Sequence, residues 1–318
     1  MRDFMSAGAL EQTTRALLPD GRHLCYACHG PADGEPVFLF HGEPGSRLFM
    51  PGAEAAVRQH VRLITVDRPG YGRSDLQPGR TLLDWAGDIA FLADHLEIER
   101  FSVLGVSGGG PHALACAYRI PDRLRGVAVA SSPCPFDYRR ATDNFAPGRL
   151  EEFTLAREAP AMLRPTVHRA VQRILTEPET YFAELGERLD ASDGRLLATP
   201  EVRSMYRSDL AEAVQAGGEG WLMEAHLLAS PWPFDLGDIR VPVRIWHGER
   251  DRIAPPRMAR LLWRALPVSE LRLAPGEGHL FFFRHIDEIL QSLVSADGEG
   301  APPARGWRLL RRETLPLV

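Results

Sequence analysis

The chain has 318 residues, 44% hydrophobic and 25% charged, which fits one large globular domain or a core carrying an inserted subdomain. A formal net charge of −5 gives no general attraction to nucleic acid or to an anionic membrane surface, and no apolar run reaches a membrane-spanning length. All 37 basic residues counted as lysine plus arginine are arginines, which excludes a lysine Schiff base, a lysine-anchored pyridoxal cofactor and a phosphate-loop lysine.

The amino-terminal Met-Arg-Asp-Phe-Met-Ser lacks the apolar stretch of a signal peptide, so a cytoplasmic location is expected. Pro19-Asp20-Gly21 marks a turn, and residues 13–29 read as a β-hairpin. Cys25 and Cys28 fall in its second arm, where their odd spacing puts them on opposite faces of a strand. That argues against a redox or metal pair, and no second pair completes a zinc set. Cys116 and Cys134 read as core residues, and four cysteines in so long a chain make no disulfide framework.

Apolar strands are predicted at 37–40, 62–66, 101–106 and 126–130, with helices at 52–60, 81–95 and 112–118 between them. From about 135 to 231 the pattern is helical, as at 150–158, 166–175 and 201–216. Strand and helix then alternate again: 243–246, 256–266, 271–273 and 286–295. Continuously apolar strands alternating with helices imply a mostly parallel sheet with helices on both faces. The helical block reads as a lid over the carboxyl edge of the sheet, where open α/β sheets bind ligands. The expected division is a core in two parts, 1–133 and 232–300, a lid at 134–231 and a tail at 301–318. With Arg305, Arg308, Arg311 and Arg312, the tail reads as an exposed or loosely docked arm.

Each motif that carries chemistry follows a predicted strand. His41-Gly-Glu-Pro-Gly-Ser-Arg47 follows the first, Asp67-Arg-Pro-Gly-Tyr-Gly-Arg-Ser74 the second, and Gly105-x-Ser107-x-Gly109 the third. His247-Gly-Glu-Arg-Asp251 and Gly276-Glu-Gly-His279 follow the last two. A parallel sheet gathers all five along one edge. A serine on a tight strand-to-helix turn is exposed, and the helix behind it points N–H groups at developing negative charge. In these motifs and in the chain order Ser, Asp, His, residues 13–295 resemble the α/β-hydrolase superfamily, in particular its lid-bearing members.

The resemblance implies an α/β-hydrolase fold and a triad of Ser107, His279 and Asp251. His279 would take the serine proton, and Asp251 would hold its tautomer and stabilise the imidazolium. Glu249 is the other carboxylate nearby, while His285 and His112 read as structural. Backbone N–H groups of Glu43 and Gly108 would form the oxyanion hole, because Pro44 has no donor. Arg47 could meet the Glu43 side chain, and His41 reads as a hydrogen-bonding structural residue. The loop at Asp67 and Arg68 would shape the pocket, and Phe136, Phe145, Trp221, His226 and Trp232 could line it with His41.

A serine rather than an aspartate at the elbow argues for acyl chemistry over epoxide or carbon–halogen cleavage. The expected activity is hydrolysis of a small or medium carboxylic ester, without metal or cofactor. Alternatives within the resemblance are C–C bond hydrolysis of β-diketone-like substrates and a proline-iminopeptidase-like activity. Outside it stands a ligand-binding pseudo-hydrolase. The expected partners are a small-molecule substrate and, at most, a second copy of the chain; neither nucleic acid nor a membrane is expected.

Overall fold

The computed structural model describes residues 13–143, 145, 149–295 and 307–311. Its centre is a nine-stranded sheet. In chain order the strands are β1 (Thr14–Leu17), β2 (His23–His29), β3 (Glu35–Phe40), β4 (Val61–Val66), β5 (Phe101–Val106), β6 (Leu124–Ala130), β7 (Val243–Gly248), β8 (Ser269–Ala274) and β9 (Arg308–Arg311). They lie side by side as β1-β2-β4-β3-β5-β6-β7-β8-β9. From β4 across to β8 all neighbours are parallel, while β1, β2 and β9 run antiparallel at the two sides.

Strand alternation divides the core between two faces. Phe38 and Phe40 of β3 join one apolar cluster, and Val37 and Leu39 join the other. The first face is covered by α2 (Leu82–His95), α3 (Gly109–Arg119) and α10 (Pro256–Ala265), the second by α1 (Ala53–Arg58) and α11 (Phe282–Val294). Helix α2 starts at a capping box in which the Thr81 N–H and hydroxyl both donate to Asp84, at 2.6 and 2.8 Å. Both strands of the predicted hairpin form, and Leu24, Tyr26 and Cys28 share one face of β2. Cys25 points to the other, with its Sγ 3.1 Å from the Arg73 carbonyl oxygen.

Between β6 and β7 the chain leaves the sheet for six helices: α4 (Arg149–Glu158), α5 (Pro160–Thr176), α6 (Pro178–Arg188), α7 (Ala191–Leu197), α8 (Pro200–Val214) and α9 (Glu219–Ala229). Prolines in the first turn start α5, α6 and α8, where a missing N–H costs nothing. Leu163, Val167, Val171 and Ile174 put one stripe of α5 into the second cluster. This helical insertion is the lid expected from sequence.

The carboxyl-terminal segment differs from expectation. Residues 308–311 are not a loose arm but an edge strand, pairing Leu310 with Leu271 and Arg308 with Leu273. Trp307 anchors it, with its ring 5.0 Å from Trp246 and 4.6 Å from His285 and its Nε1–H donating to Glu288 at 2.8 Å. An apolar ring with a satisfied N–H can hold a short strand that four residues of pairing could not. Residues 301–306 and 312–318, with Arg305 and Arg312, lie outside the described residues. Replacing Trp307 by alanine is expected to cost about 2–3 kcal/mol, below the usual buried-tryptophan loss because the ring is half-buried. Urea unfolding measures this, and an unchanged midpoint would remove the anchoring role.

Candidate active site

Ser107 sits where β5 turns into α3, with φ +50°, a backbone region costly for a residue with a Cβ. The turn is tight enough that a Cβ on Gly105 would come 2.4 Å from the Gly109 carbonyl oxygen, and one on Gly109 2.2 Å from that of Phe40. Hydrogen bonds from Ser107 N to Ala130 O and from Gly110 N to Ser107 O, both 2.9 Å, fix the turn against β6 and α3.

The loops after β7 and β8 bring the other two expected residues to it. His279 Nε2 lies 3.1 Å from Ser107 Oγ, and its Nδ1 lies 2.8 Å from Asp251 Oδ2. Asp251 Oδ1 accepts the N–H groups of Ile253 and Ala254, at 2.8 and 2.9 Å. Its Oδ2 is also 3.2 Å from His247 Nε2, whose proton points to the Ala254 carbonyl at 2.7 Å. Burial alone would raise the Asp251 pKa. The imidazoles of His279 and His247 outweigh it and hold the carboxyl well below the usual range. Glu249 instead faces Arg308 at 2.9 Å. His285 contacts Glu288 and Trp307, and His112 donates from Nδ1 to the Gly108 carbonyl at 2.9 Å.

On the other side of Ser107 lies the loop after β3. The Glu43 nitrogen is 3.4 Å from the point where a Cβ on Gly108 would stand, so the two expected N–H donors belong to adjoining backbone. Arg47 does not serve Glu43 as suggested: its guanidinium is committed to Asp67 and Glu212, each at 2.7 Å. His41 is fully buried behind the loop, its Nδ1 donating to the Gly42 carbonyl at 2.8 Å and its Nε2 accepting the Arg68 N–H at 3.3 Å.

A cavity of about 130 Å³ opens at Ser107 and His279. Phe136 and Phe145 line it, Phe145 stacked on Phe153 of α4 and Phe136 tilted against it, and Phe49, Tyr181, Tyr206 and Phe282 complete an aromatic wall. The other four expected lining residues do not reach it. Trp232 turns into the first core cluster beside Phe234, and Trp221 packs in the second. His226 donates from Nδ1 to the Ala156 carbonyl, 2.8 Å away, and His41 lies behind the loop. Each is used up in joining elements.

Three lid carboxylates coupled to the site were not foreseen. Asp193 of α7 accepts the N–H of His279 at 2.8 Å and that of Leu280 at 2.7 Å. A Cβ on Gly278 would stand 2.1 Å from the same carboxylate, so only glycine admits this grip. Asp209 of α8 accepts the N–H and hydroxyl of Ser46, at 2.6 and 2.8 Å. Glu224 of α9, fully buried, is clasped by Arg68 and Arg80. Arg68 in turn donates to the carbonyls of His41 and Gly42, at 2.5 and 2.8 Å, and Arg80 reaches His112 Nε2 at 3.3 Å. The one available signal was position. Asp209 lies on the buried stripe of α8 with Leu210, Ala213 and Val214, and Glu224 on that of α9 with Gly220 and Leu228.

These geometries define a protein class, and comparison with known proteins agrees. The chain matches the family described as alpha/beta hydrolase fold over residues 35–286 and belongs to that family. It is 26% identical over 269 residues to an uncharacterized hydrolase, YcgS, of Bacillus subtilis (strain 168), covering 83% of this chain and 90% of that one. It is 30% identical over 237 residues to a pimeloyl-(acyl-carrier protein) methyl ester esterase of Yersinia pseudotuberculosis, covering 74% and 83%. Among solved structures, a thermophilic esterase from Thermogutta terrifontis superposes with a TM-score of 0.64 at 26% identity, covering 88% and 96%. No helix among the described residues is long and apolar enough to cross a membrane.

The buried ion cluster yields two predictions. Glu224→Gln leaves two guanidinium groups buried without their counter-charge, and should destabilise by about 3–5 kcal/mol in urea unfolding. A loss within error would show that the cluster is not holding the lid. His112 is held well below the ordinary imidazole pKa by burial, then by Arg68 and Arg80. A depressed imidazole contributes stability above its unfolded pKa of about 6.5 and loses it as pH falls. The stability deficit of His112→Gln relative to wild type should therefore shrink between about pH 7.5 and pH 5. A deficit that grows on acidification would contradict a neutral His112.

Proposed function

We propose that this α/β-hydrolase-fold protein is a serine hydrolase cleaving a small or medium carboxylic ester through an acyl-enzyme. The observation that carries the reading is the unbroken relay Asp251–His279–Ser107, with contacts of 2.8 and 3.1 Å, opening onto an apolar cavity. Ser107 Oγ attacks the ester carbonyl while His279 Nε2 takes its proton. The imidazolium, steadied by Asp251, returns that proton to the departing alcohol, and water then releases the acid by the same route. No metal or cofactor enters these steps.

The oxyanion would be held by the N–H groups of Gly108 and Glu43. Arg68 has a role here that its position in a turn motif did not suggest. It donates to the Gly42 carbonyl, the far end of the very amide whose N–H is Glu43. A cation on the carbonyl polarises that amide and strengthens its donor. The esterase names of the Yersinia and Thermogutta relatives support ester chemistry. At roughly 10–15 Å³ per water position, the cavity holds about ten waters, suited to a small or medium substrate. A cytoplasmic location is part of this reading.

A fluorophosphonate probe should label the wild type and leave Ser107→Ala unlabelled; an unreactive wild type would favour the ligand-binding alternative. Because Asp251 stays ionised far below neutrality, the acid limb of the rate profile belongs to His279, and activity should fall as pH drops through roughly 7 to 6. A flat profile would remove His279 as base. Asp193→Ala should lower kcat on the order of 10²-fold with KM little changed, since it frees the backbone that aims the imidazole. A screen of p-nitrophenyl esters beside a dienone C–C substrate separates the ester reading from the C–C alternative.

A further inference from the structure

Asp209 is fully buried on α8, yet it lines the same cavity as Ser107 and His279. Its Oδ1 holds Ser46, but among the described residues no hydrogen bond reaches Oδ2. A buried carboxyl needs only one oxygen to latch a lid helix. The second has no partner among the described residues, on a side chain that lines a cavity whose walls are otherwise largely aromatic and aliphatic. Burial, opposed mainly by the two Ser46 hydrogen bonds, pushes this carboxyl up to about 8, so at neutral pH it is a proton donor. The charges of Asp67 and Arg68 act on it in opposite directions.

Resting on the ester-hydrolase reading, we infer that Asp209 is a specificity-determining residue whose Oδ2 donates a hydrogen bond to a neutral oxygen of the substrate. The substrate class is then a neutral ester that is mainly apolar but carries a second oxygen, a ketone, ether or hydroxyl, away from the scissile carbonyl. An anionic substituent is disfavoured, because its carboxylate would lose hydration among walls that are largely aromatic and aliphatic. A hydrocarbon substrate of equal length leaves Oδ2 without a partner, and the unmade hydrogen bond is the source of discrimination.

The test is a selectivity ratio read on matched pairs. On the acyl side, p-nitrophenyl 4-oxopentanoate is compared with the pentanoate; on the alcohol side, 2-methoxyethyl pentanoate is compared with the butyl ester. In the wild type one pair should favour the oxygenated ester in kcat/KM by about tenfold, the worth of one hydrogen bond. Asp209→Leu should erase that ratio. Asp209→Asn should retain it, since an amide N–H replaces the acid O–H. Ser46→Ala, which loosens the latch but leaves Oδ2, should also retain it.

Equal losses on both members of each pair in Asp209→Leu, with the ratio unmoved, would overturn the inference and leave Asp209 a latch. Loss of the ratio in Asp209→Asn would overturn it too, because an amide N–H in the same place would then fail to act as the donor. Equilibrium binding of the same pairs to Ser107→Ala needs no turnover. A preference there with an inert wild type would sink the ester reading but not the role of Asp209; no preference with an active wild type would do the reverse. Should Asp209→Leu fail to fold, the ketone stretch of the oxo ester bound to Ser107→Ala decides, since an unshifted band means no donor reaches it.

Discussion

Buried acidic side chains hold this molecule's two parts together. Asp193, Asp209 and Glu224 stand on consecutive lid helices, and each grips a different loop at the carboxyl edge of the sheet. Taking an acidic side chain out of water is expensive unless hydrogen bonds or counter-charges meet it. Each is met here by groups from the core: backbone N–H groups of the His279 loop, the N–H and hydroxyl of Ser46, and two guanidinium groups. A lid fixed in this way along α7, α8 and α9 cannot lift as a single flap without breaking all three.

The same contacts join the lid to the chemistry. Asp193 sets the backbone of the imidazole loop, and Glu224, through Arg68, sets the carbonyls of the loop that carries the Glu43 N–H. Both loops that flank Ser107, at His279 and at Glu43, are thus referred to one inserted unit. Ser107 itself is independent of the lid, being held by β6 and α3. Its strained turn belongs to the sheet, while the groups that would make it reactive are tuned from above.

The core was legible in the sequence because its signals are local. A Gly-x-Ser-x-Gly after an apolar strand, or a histidine in a glycine-flanked loop, states its role within a few residues. A parallel sheet then supplies the long-range geometry at no further cost in information. The lid partners were illegible for the opposite reason. Asp209 and Ser46 are 163 positions apart, and Arg68 and Glu224 156, with nothing in either segment naming the other. What the chain does show is an acid on a buried helical stripe, and that anomaly points to a partner without identifying it. Helix α11 begins earlier than the period implied, because Phe281-Phe-Phe283 is apolar without interruption and hides the turn. Strand β9 was missed because its four residues carry no alternation that outweighs their arginines.

That last strand also bears on self-association. An uncovered β8 would present a ladder of unpaired amides on which a second copy could simply continue the sheet. The antiparallel cover strand occupies those amides in cis and carries the basic Arg308 there. A second copy therefore cannot extend the sheet directly on the β8 residues that pair with β9.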